Sequence, residues 1–354
     1  MNRVATNKLS YVLVLYLRKM KYLVIASLII ASYLFSIAYG YTSEATMIFL
    51  TMEPDARSYG MGGVGVAITG GPQASFYNPA AIGNIRRFSF AGNRFDFGYT
   101  DLGSIHLSAG YKFGEYGTGA FNFTRFGLGS SISIDEFGNI TKSSSYEELV
   151  SGSYSMELSP NFYVGASGKY ISSSVFAFDF GILVTNLFPE ASYIYYPETN
   201  AKLAQVFNSW VEKGFSIGAA ISNLGPDVRY GDNERKDPLP RLLKIGIAWR
   251  PIVTEMFQTT LAADYEKSLV GLKSGFLKEF FDPEFFISKY GMEVNFFYVW
   301  TFRLGYRQDY EEEDHYLTSG FGFGPHWINF NIASGSRGGN TRYSLIFNYP
   351  LDLK

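Results

Sequence analysis

Residues 299–307 read Val-Trp-Thr-Phe-Arg-Leu-Gly-Tyr-Arg, and their side chains alternate in character. On an extended chain the large apolar side chains share one face: Trp300, Phe302, Leu304 and Tyr306. The opposite face carries Thr301, Arg303, Gly305 and Arg307. A period of two is that of a strand with two unlike faces, and a helix would mix the two sets. The stretch is therefore predicted to be a β-strand with an apolar face and a polar face.

The same alternation recurs from Arg87 onward, in short segments separated by Gly, Asn, Asp, Ser or Pro. Fourteen strands are predicted, at 88–98, 102–113, 116–127, 146–158, 161–172, 174–184, 213–222, 240–250, 257–267, 285–296, 299–308, 315–323, 326–333 and 340–350. An even number of strands of about ten residues, aromatic on one face and polar or Gly-rich on the other, is typical of a transmembrane β-barrel. Hydrocarbon offers no partner to backbone polar groups, so a sheet that spans a membrane must close on itself.

A soluble β-sandwich or lipocalin-like barrel is the alternative, because its strands also alternate but point their apolar face inward. The composition favours the membrane barrel. The chain has 32 Phe, 27 Tyr and 4 Trp, and 18% of its residues are charged. Soluble domains average about 25% charged residues. The fold class expected is all-β, a 14-stranded antiparallel outer-membrane barrel.

Several function classes lack the residues they need. A formal net charge of −2 gives no electrostatic basis for binding nucleic acid. The absence of cysteine excludes a disulfide scaffold, a thiol nucleophile and thiolate metal sites. The imidazoles are His106, His315 and His326, and no nucleophile motif accompanies them. We therefore expect no enzyme activity, no cofactor and no metal site.

One motif imitates a cofactor site. Residues 60–65, Gly-Met-Gly-Gly-Val-Gly, match G-x-G-x-x-G. A dinucleotide site needs a buried strand before this motif and an acid about twenty residues after it. Charged Asp55 and Arg57 precede it, and no Asp or Glu lies between 56 and 95. The motif is therefore assigned to backbone geometry.

The N-terminus resembles an export signal. Lys19 and Lys21 precede an uncharged apolar stretch at 22–39, and Ala38 and Gly40 are small residues suited to cleavage before Tyr41. Residues 1–40 are predicted to be a signal peptide, with Met20 as an alternative start. The alternative is an uncleaved membrane anchor, since the stretch approaches the length of a spanning helix.

The predicted turns alternate in length. Short connections are expected at 114–115, 159–160, 297–298 and 324–325, and long polar ones at 128–145, 223–239, 268–284 and 309–314. Bacterial barrels place short turns in the periplasm and long loops outside. The connection at 185–212 is atypical, because it is long where a short turn is expected, and residues 201–211 are predicted to form a helix. The acidic run 311–314 is interpreted as a solvated loop tip.

Two motifs resemble a known family. Residues 55–67 read Asp-Ala-Arg-Ser-Tyr-Gly-Met-Gly-Gly-Val-Gly-Val-Ala, and 74–82 read Ala-Ser-Phe-Tyr-Asn-Pro-Ala-Ala-Ile. Further on, Asn-Leu-Gly-Pro at 223–226 is followed by Pro-Leu-Pro-Arg at 238–241. These segments closely resemble the PorV/PorQ family, a branch of the FadL-like outer-membrane barrels. The resemblance covers about residues 55–350.

The resemblance implies a domain plan and a function. Residues 41–87 would form a plug or hatch in the periplasmic mouth, and residues 88–354 the barrel. The family's best-known members belong to the type IX secretion system, so the first hypothesis is a non-enzymatic barrel that handles or anchors secreted proteins at the cell surface. Its partners would be outer-membrane lipid and secretion or cell-surface proteins. The alternatives are a FadL-like transporter for hydrophobic small molecules and a purely structural barrel.

Three sets of candidate site residues follow. The plug motif comprises Arg57, Gly60, Gly62, Gly63, Gly65, Asn78 and Pro79. The strand-end motif comprises Asn223, Leu224, Gly225, Pro226, Pro238 and Pro240. The inner-face charges are Lys244, Arg250, Arg303, Arg307 and Arg342, together with Asp264 and Glu293. Their mixed signs argue against a strongly selective anion pore, and we expect these charges to pin the plug.

Overall fold

The computed structural model describes residues 45–97, 102–134, 140–172, 175–195, 212–229, 236–254, 256–270, 286–309, 314–325, 327–336 and 340–349. Fourteen long strands dominate it. They are β1 (Phe88–Asp96), β2 (Leu102–Lys112), β3 (Thr118–Ile134), β4 (Ile140–Ser159), β5 (Phe162–Ile171), β6 (Val175–Leu187), β7 (Gly214–Leu224), β8 (Leu242–Arg250), β9 (Phe257–Ser268), β10 (Phe286–Phe296), β11 (Trp300–Asp309), β12 (Asp314–Phe323), β13 (Ile328–Gly335) and β14 (Thr341–Tyr349).

These strands form a closed antiparallel barrel. Each strand pairs with its neighbours in the chain, and β8 pairs with β9 from Leu242↔Ser268 to Trp249↔Leu261. The circle closes where β1 pairs with β14, from Phe88↔Tyr349 to Asp96↔Thr341. Closure gives the edge strands of a flat sheet their missing partners. The predicted fold class, a fourteen-stranded antiparallel barrel, is therefore confirmed.

The two faces of the wall have opposite character. Along β6, Phe176, Phe178 and Phe180 are exposed on the outside, whereas Ala177 and Asp179 are fully buried inside. The predicted strand at 299–307 has the expected phase, with Phe302 and Leu304 exposed and Thr301 and Arg303 buried. A soluble barrel would point these rings inward, so the observed direction agrees with a barrel that faces lipid.

The barrel has a short-turn end and a loop end. At the short-turn end, β10 and β11 join through Phe297 and Tyr298, which both have positive φ (51° and 54°). At the loop end lie the connections from β7 to β8 and from β9 to β10. The described helices are α1 (Ala56–Gly60) and the 3-10 helices Ile48–Thr51, Pro72–Phe76, Pro79–Asn84, Gly114–Tyr116 and Pro189–Ala191. No helix in this described part of the chain is long and apolar enough to cross a membrane.

A two-stranded ribbon replaces most of the long loop expected at 128–145. Among the described residues, the β2–β3 ladder ends at Leu102↔Leu128 and the β4–β5 ladder at Leu149↔Ile171, whereas β3 and β4 keep pairing as far as Ile134↔Ile140. The prediction ended these strands too early. Thr and Ile favour extended backbone, but residues 128–145 lack the sustained alternation of large apolar side chains that marks the other strands.

The connection at 185–212 also differs from a simple turn. After the 3-10 helix Pro189–Ala191, a short strand at Tyr193–Tyr195 runs parallel to the strand Ile252–Thr254, which itself pairs with β9. A separate pair of short strands, Val228–Arg229 and Lys236–Asp237, lies in the β7–β8 connection. The signal peptide, the helix predicted at 201–211, His326 and residues 311–313 of the acidic run lie outside the described residues.

Candidate functional site

The N-terminal segment at 45–85, called the plug here, passes through the lumen from the loop end to the short-turn end. At the loop end, Met47, Phe49 and Leu50 belong to a buried apolar cluster whose barrel members are Phe95, Phe126, Leu149, Ile171, Val175 and Ala177. At the short-turn end, Gly83 lies against the ring of Tyr163 and the Asn84 side chain donates to Glu212 Oε1 at 3.0 Å. The plug therefore reaches further than the single mouth expected from the sequence.

The glycine motif shapes the turn after α1. Asp55 caps this helix by accepting from the Ser58 amide at 2.9 Å, and it also accepts from the Tyr77 hydroxyl at 2.7 Å. Gly62 and Gly63 have φ of +76° and +88°, a region that favours glycine. A Cβ on Gly62 would lie 2.7 Å from the carbonyl oxygen of Tyr306. The backbone consequently lies directly on the wall, where the Gly62 amide donates to Thr318 Oγ1 at 2.9 Å.

Gly60 and Gly65 are also closely packed against neighbouring atoms. A Cβ on Gly60 would lie 3.0 Å from the Cα of Gly320 on β12. The Gly65 and Val66 amides both donate to Asp264 Oδ2, at 2.6 and 2.9 Å. A lumenal carboxylate thus binds the plug backbone, and no nucleotide-binding strand precedes the motif in the described residues.

Glu53 is the main ionic contact between the plug and the wall. Its carboxylate accepts from Lys289 Nζ at 2.9 Å and from Arg307 Nη1 at 2.5 Å, and Arg342 Nε donates to its backbone carbonyl at 2.8 Å. Burial alone would raise the pKa of Glu53, but the positive charges of Lys289, Arg307 and Arg342 outweigh it and hold the pKa well below its usual value. Glu53 therefore stays ionised at neutral pH.

Two aromatic rings support this contact. The guanidinium carbon of Arg342 lies 3.4 Å from the ring centroid of Tyr59 in the plug and 4.0 Å from that of Phe95 in β1. Such cation–π contacts strengthen when the cation is desolvated, and Arg342 is 3% exposed.

A second ionic contact joins Arg57 to the wall. Its Nε and Nη2 donate to the two carboxylate oxygens of Glu293, at 3.0 and 2.8 Å. Arg303 shares the same carboxylate at 2.7 Å and donates to Asn331 Oδ1 at 2.8 Å. Burial would lower the pKa of Arg57, but the Glu293 carboxylate outweighs it and raises this pKa. Arg57 and Glu293 thus form a bidentate pair, a geometry that is stronger and more specific than a single contact.

Asn78 ties the second half of the plug to the wall. Its Nδ2 donates to the carbonyls of Val66 and Ile182, both at 2.9 Å, and its Oδ1 accepts from the Ala80 amide at 3.0 Å. Pro79 follows as the first residue of a 3-10 helix, where its missing N–H costs nothing.

The strand-end motif joins the two ends of the β7–β8 connection. Asn223 has φ +62°, and its Nδ2 donates to the Pro240 carbonyl at 2.9 Å. Its Oδ1 accepts from Lys169 Nζ at 2.7 Å. Leu224 pairs with Phe178 of β6, Arg241 donates to the Gly225 carbonyl at 2.9 Å, and Pro226 is exposed. The Pro238 carbonyl accepts from the Thr46 amide at 3.0 Å, so this motif meets the start of the plug.

The other predicted lumenal cations also face inward. Lys244 is 2% exposed, and its Nζ lies 5.2 Å from the ring centroid of Phe76 in the plug. Arg250 donates to Ser216 Oγ at 2.8 Å and pairs with Glu212. Sequence reasoning missed Glu53, Lys289, Glu266 and the Lys169–Asp179 pair, although Lys289 lies on the same inner face of β10 as Glu293.

Above the plug, a recess of about 680 Å³ opens at the loop end. Its lining combines charged and aromatic side chains with an exposed Ile48: Glu53, Tyr59, Glu266, Arg307, Tyr316 and Arg342. Among the described residues, no three His, Asp or Glu side chains gather as a cation site. The geometry offers a blocked lumen and a recess at its loop end.

Comparisons with solved structures found a transporter, a channel and an outer-membrane protein, all of low sequence identity. The Pseudomonas putida toluene transporter TodX is 13% identical, with 82% of this chain and 95% of that one covered and a TM-score of 0.45. The CymD monoaromatic hydrocarbon channel is 13% identical, with 85% and 96% covered and a TM-score of 0.42. The Acinetobacter baumannii outer membrane protein Omp33 is 8% identical, with 75% and 100% covered and a TM-score of 0.40.

No curated protein matches the chain. The family model described as "Type IX secretion system protein PorV" matches residues 41–274, well over half of the chain. This match includes the plug motif and the strand-end motif, and it confirms the family that those motifs indicated. The chain therefore belongs to the PorV family of outer-membrane barrels.

Proposed function

We propose that this protein works as a closed barrel that binds exported proteins and presents them at the cell surface as part of a type IX secretion system. The family's description supports the secretion role. The plug contacts support the closed state, and this is the observation that carries the choice against a transporter for hydrophobic small molecules.

A transporter of that kind needs a plug that moves. Moving this plug would separate Glu53 from Lys289 and Arg307, and Arg57 from Glu293. All of these side chains lie in the lumen, and Glu53 is 4% exposed. Losing one partner of a buried ion pair costs about 3–5 kcal/mol. Two such contacts, at different heights of the lumen, favour a plug that stays in place.

The loop end then supplies the working surface. It carries the recess above the plug and the ribbon formed by β3 and β4. With tight turns in the periplasm, as in other bacterial barrels, this end faces the outside.

A disulfide lock tests the proposal. The chain has no cysteine, and the Ala56 amide donates to Ser344 Oγ at 2.7 Å. The double variant Ala56→Cys/Ser344→Cys therefore places two thiols where they would fix the plug to β14. We expect cells that carry only this variant to display exported proteins at the same level with the disulfide formed or reduced. Surface biotinylation followed by mass spectrometry measures the display.

The single variants Ala56→Cys and Ser344→Cys serve as controls for the substitutions themselves. If the disulfide stops the surface display of exported proteins, and its reduction restores that display, the result would contradict a plug that stays in place. If the protein restores the uptake of hydrophobic compounds in a strain that lacks it, and has no effect on surface display, the transporter would instead be supported.

A further inference from the structure

An outward-facing groove lies near the loop end, on the lipid side of β1 to β4. Its volume is about 460 Å³. Arg94 and Asp96 form one side, and Arg125 and Tyr146 form the other. Gly103 and Gly127 line it between these two sides.

Strand register places the groove at the upper border of the apolar band. Arg94, Ile105, Arg125 and Glu148 form one row across β1 to β4. The next outward row toward the short-turn end is apolar: Gly92, Leu107, Phe123 and Val150. Beneath it lies Phe121, which is 55% exposed. The two guanidinium groups therefore sit where a bilayer changes from acyl chains to headgroups.

These two arginines differ from the others on the described barrel strands. The side chains of Arg94 and Arg125 are 63% and 52% exposed. The remaining four, Arg250, Arg303, Arg307 and Arg342, face the lumen. The lumenal arginines pair with the plug or with other lumenal side chains, whereas Arg94 and Arg125 lie on the lipid side and contact neither.

We propose that this groove binds the phosphorylated headgroup of an outer-leaflet lipid. Arginine matches phosphate oxygens through paired N–H donors. Arg94 and Arg125 lie two strands apart, about 10 Å, so one headgroup contacts both. The acyl chains continue over Ile105 and Leu107, which are 46% and 40% exposed.

The existing ion pairs leave the arginines available. Arg94 binds Asp96 Oδ2 through Nε and Nη2, and Arg125 binds Glu148 Oε1 through the same two atoms. A guanidinium has five N–H donors, so each pair uses one edge of it. Ion pairs this exposed contribute little stability, and a phosphate that adds to or replaces them meets a small opposing free energy. Arg125 also stacks on Tyr146, at 4.7 Å from its ring centroid, which holds it toward the groove.

Native mass spectrometry of the purified full-length barrel in nonionic detergent tests the site. The probes are diphosphorylated lipid A, phosphatidylcholine and inorganic phosphate. We expect the protein to retain lipid A at one equivalent, and the double variant Arg94→Gln/Arg125→Gln to bind it at least tenfold more weakly. Arg94→Lys/Arg125→Lys should recover part of the affinity, because lysine keeps the positive charge but lacks the paired N–H donors of the guanidinium group. Lys236→Gln, an exposed cation in the β7–β8 connection, should bind as the unchanged protein does.

Three results would overturn the proposal: equal lipid A binding by the Arg94→Gln/Arg125→Gln variant, equal retention of phosphatidylcholine, or displacement of lipid A by millimolar inorganic phosphate. A mobility shift between boiled and unboiled samples shows that each variant is folded before binding is compared. The site is independent of the secretion role, since it depends only on the wall of the barrel and not on the plug or on any exported protein.

Discussion

Glu53 is the residue whose change should affect the plug most. In Glu53→Gln the carboxylate charge disappears, while buried Lys289 and Arg342 and partly buried Arg307 remain around it. We expect the free energy of unfolding to fall by about 3 kcal/mol, the order found when a buried ion pair loses one partner. Urea denaturation in detergent, with limited proteolysis of the N-terminal segment, measures the loss.

Glu115→Gln is the matched control, because Glu115 is an exposed acid in a short turn. Its unfolding free energy should stay within about 0.5 kcal/mol of the unchanged protein. If both variants lose the same amount, Glu53 contributes nothing beyond its surface charge, and the ionic account of the plug fails.

A substitution at Gly62 tests whether the plug backbone lies directly against the barrel wall. In Gly62→Ala a Cβ would lie 2.7 Å from the Tyr306 carbonyl oxygen, at a φ of +76° that alanine rarely adopts. We expect a loss of stability above about 2 kcal/mol, since strain at a left-handed position and a steric clash add together. Thermal unfolding followed by circular dichroism measures it.

Gly152→Ala supplies the comparison on the same protein. A Cβ on Gly152 would meet no atom within 4 Å, and the residue lies in β4. Its thermal midpoint should be unchanged or slightly higher. A Gly62→Ala protein as stable as Gly152→Ala would show that the plug does not press against the wall.

Only part of the candidate site could be predicted from the sequence. Arg303, Arg307 and Arg342 could be placed on an inner face because alternation fixes which way each side chain points. Glu53 could not be placed, since it precedes the motif in a segment with no periodicity, and its three partners come from β10, β11 and β14. Such contacts depend on how the plug crosses the lumen, which no local pattern specifies.

At the scale of a single strand, Leu304 tests which face meets lipid. It is 57% exposed on the outside of β11, next to inward-facing Arg303. We expect Leu304→Arg to block membrane assembly, because a cation in the middle of the lipid face costs about 2–4 kcal/mol. Arg303→Ala should still assemble, since Arg57 continues to pair with Glu293. The fraction of protein recovered in outer-membrane fractions gives the comparison; equal recovery of the two variants would mean that the strand faces are reversed.

Strands with a lipid face could be predicted from sequence, and elements without one could not. The strand predicted at 285–296 is observed at Phe286–Phe296. It could be predicted because Tyr290, Met292 and Val294 alternate with smaller or polar residues. The ribbon above Leu128 and the three-residue strand Tyr193–Tyr195 have no such mark. Which neighbour each of them pairs with is set by the tertiary structure, and a local sequence pattern does not specify it.

The whole molecule reverses the arrangement of a soluble protein. Large apolar side chains are exposed around the outside, while the lumen holds buried Lys169 and Lys289 and the acids that pair with them. Removing these charges from water is unfavourable unless each finds a partner. The plug supplies part of that pairing through Glu53 and Arg57, so the plug and the barrel stabilise each other as one unit.

The pH dependence of the whole fold should reflect this shared unit. The pKa of Glu53 is held well below its usual value in the folded protein. In the unfolded chain a glutamate has a pKa of about 4.3. Its contribution is therefore fully present above that unfolded pKa and is lost as the pH falls through the folded pKa. We expect the gap in thermal midpoint between the unchanged protein and Glu53→Gln to stay constant from pH of about 8 to about 5, and to narrow only below pH of about 4. The loss of the boiling-dependent mobility shift, measured against temperature at each pH, gives both midpoints. A gap that already closes near neutral pH would mean that Glu53 is protonated there, and that the three cations do not hold it in the lumen.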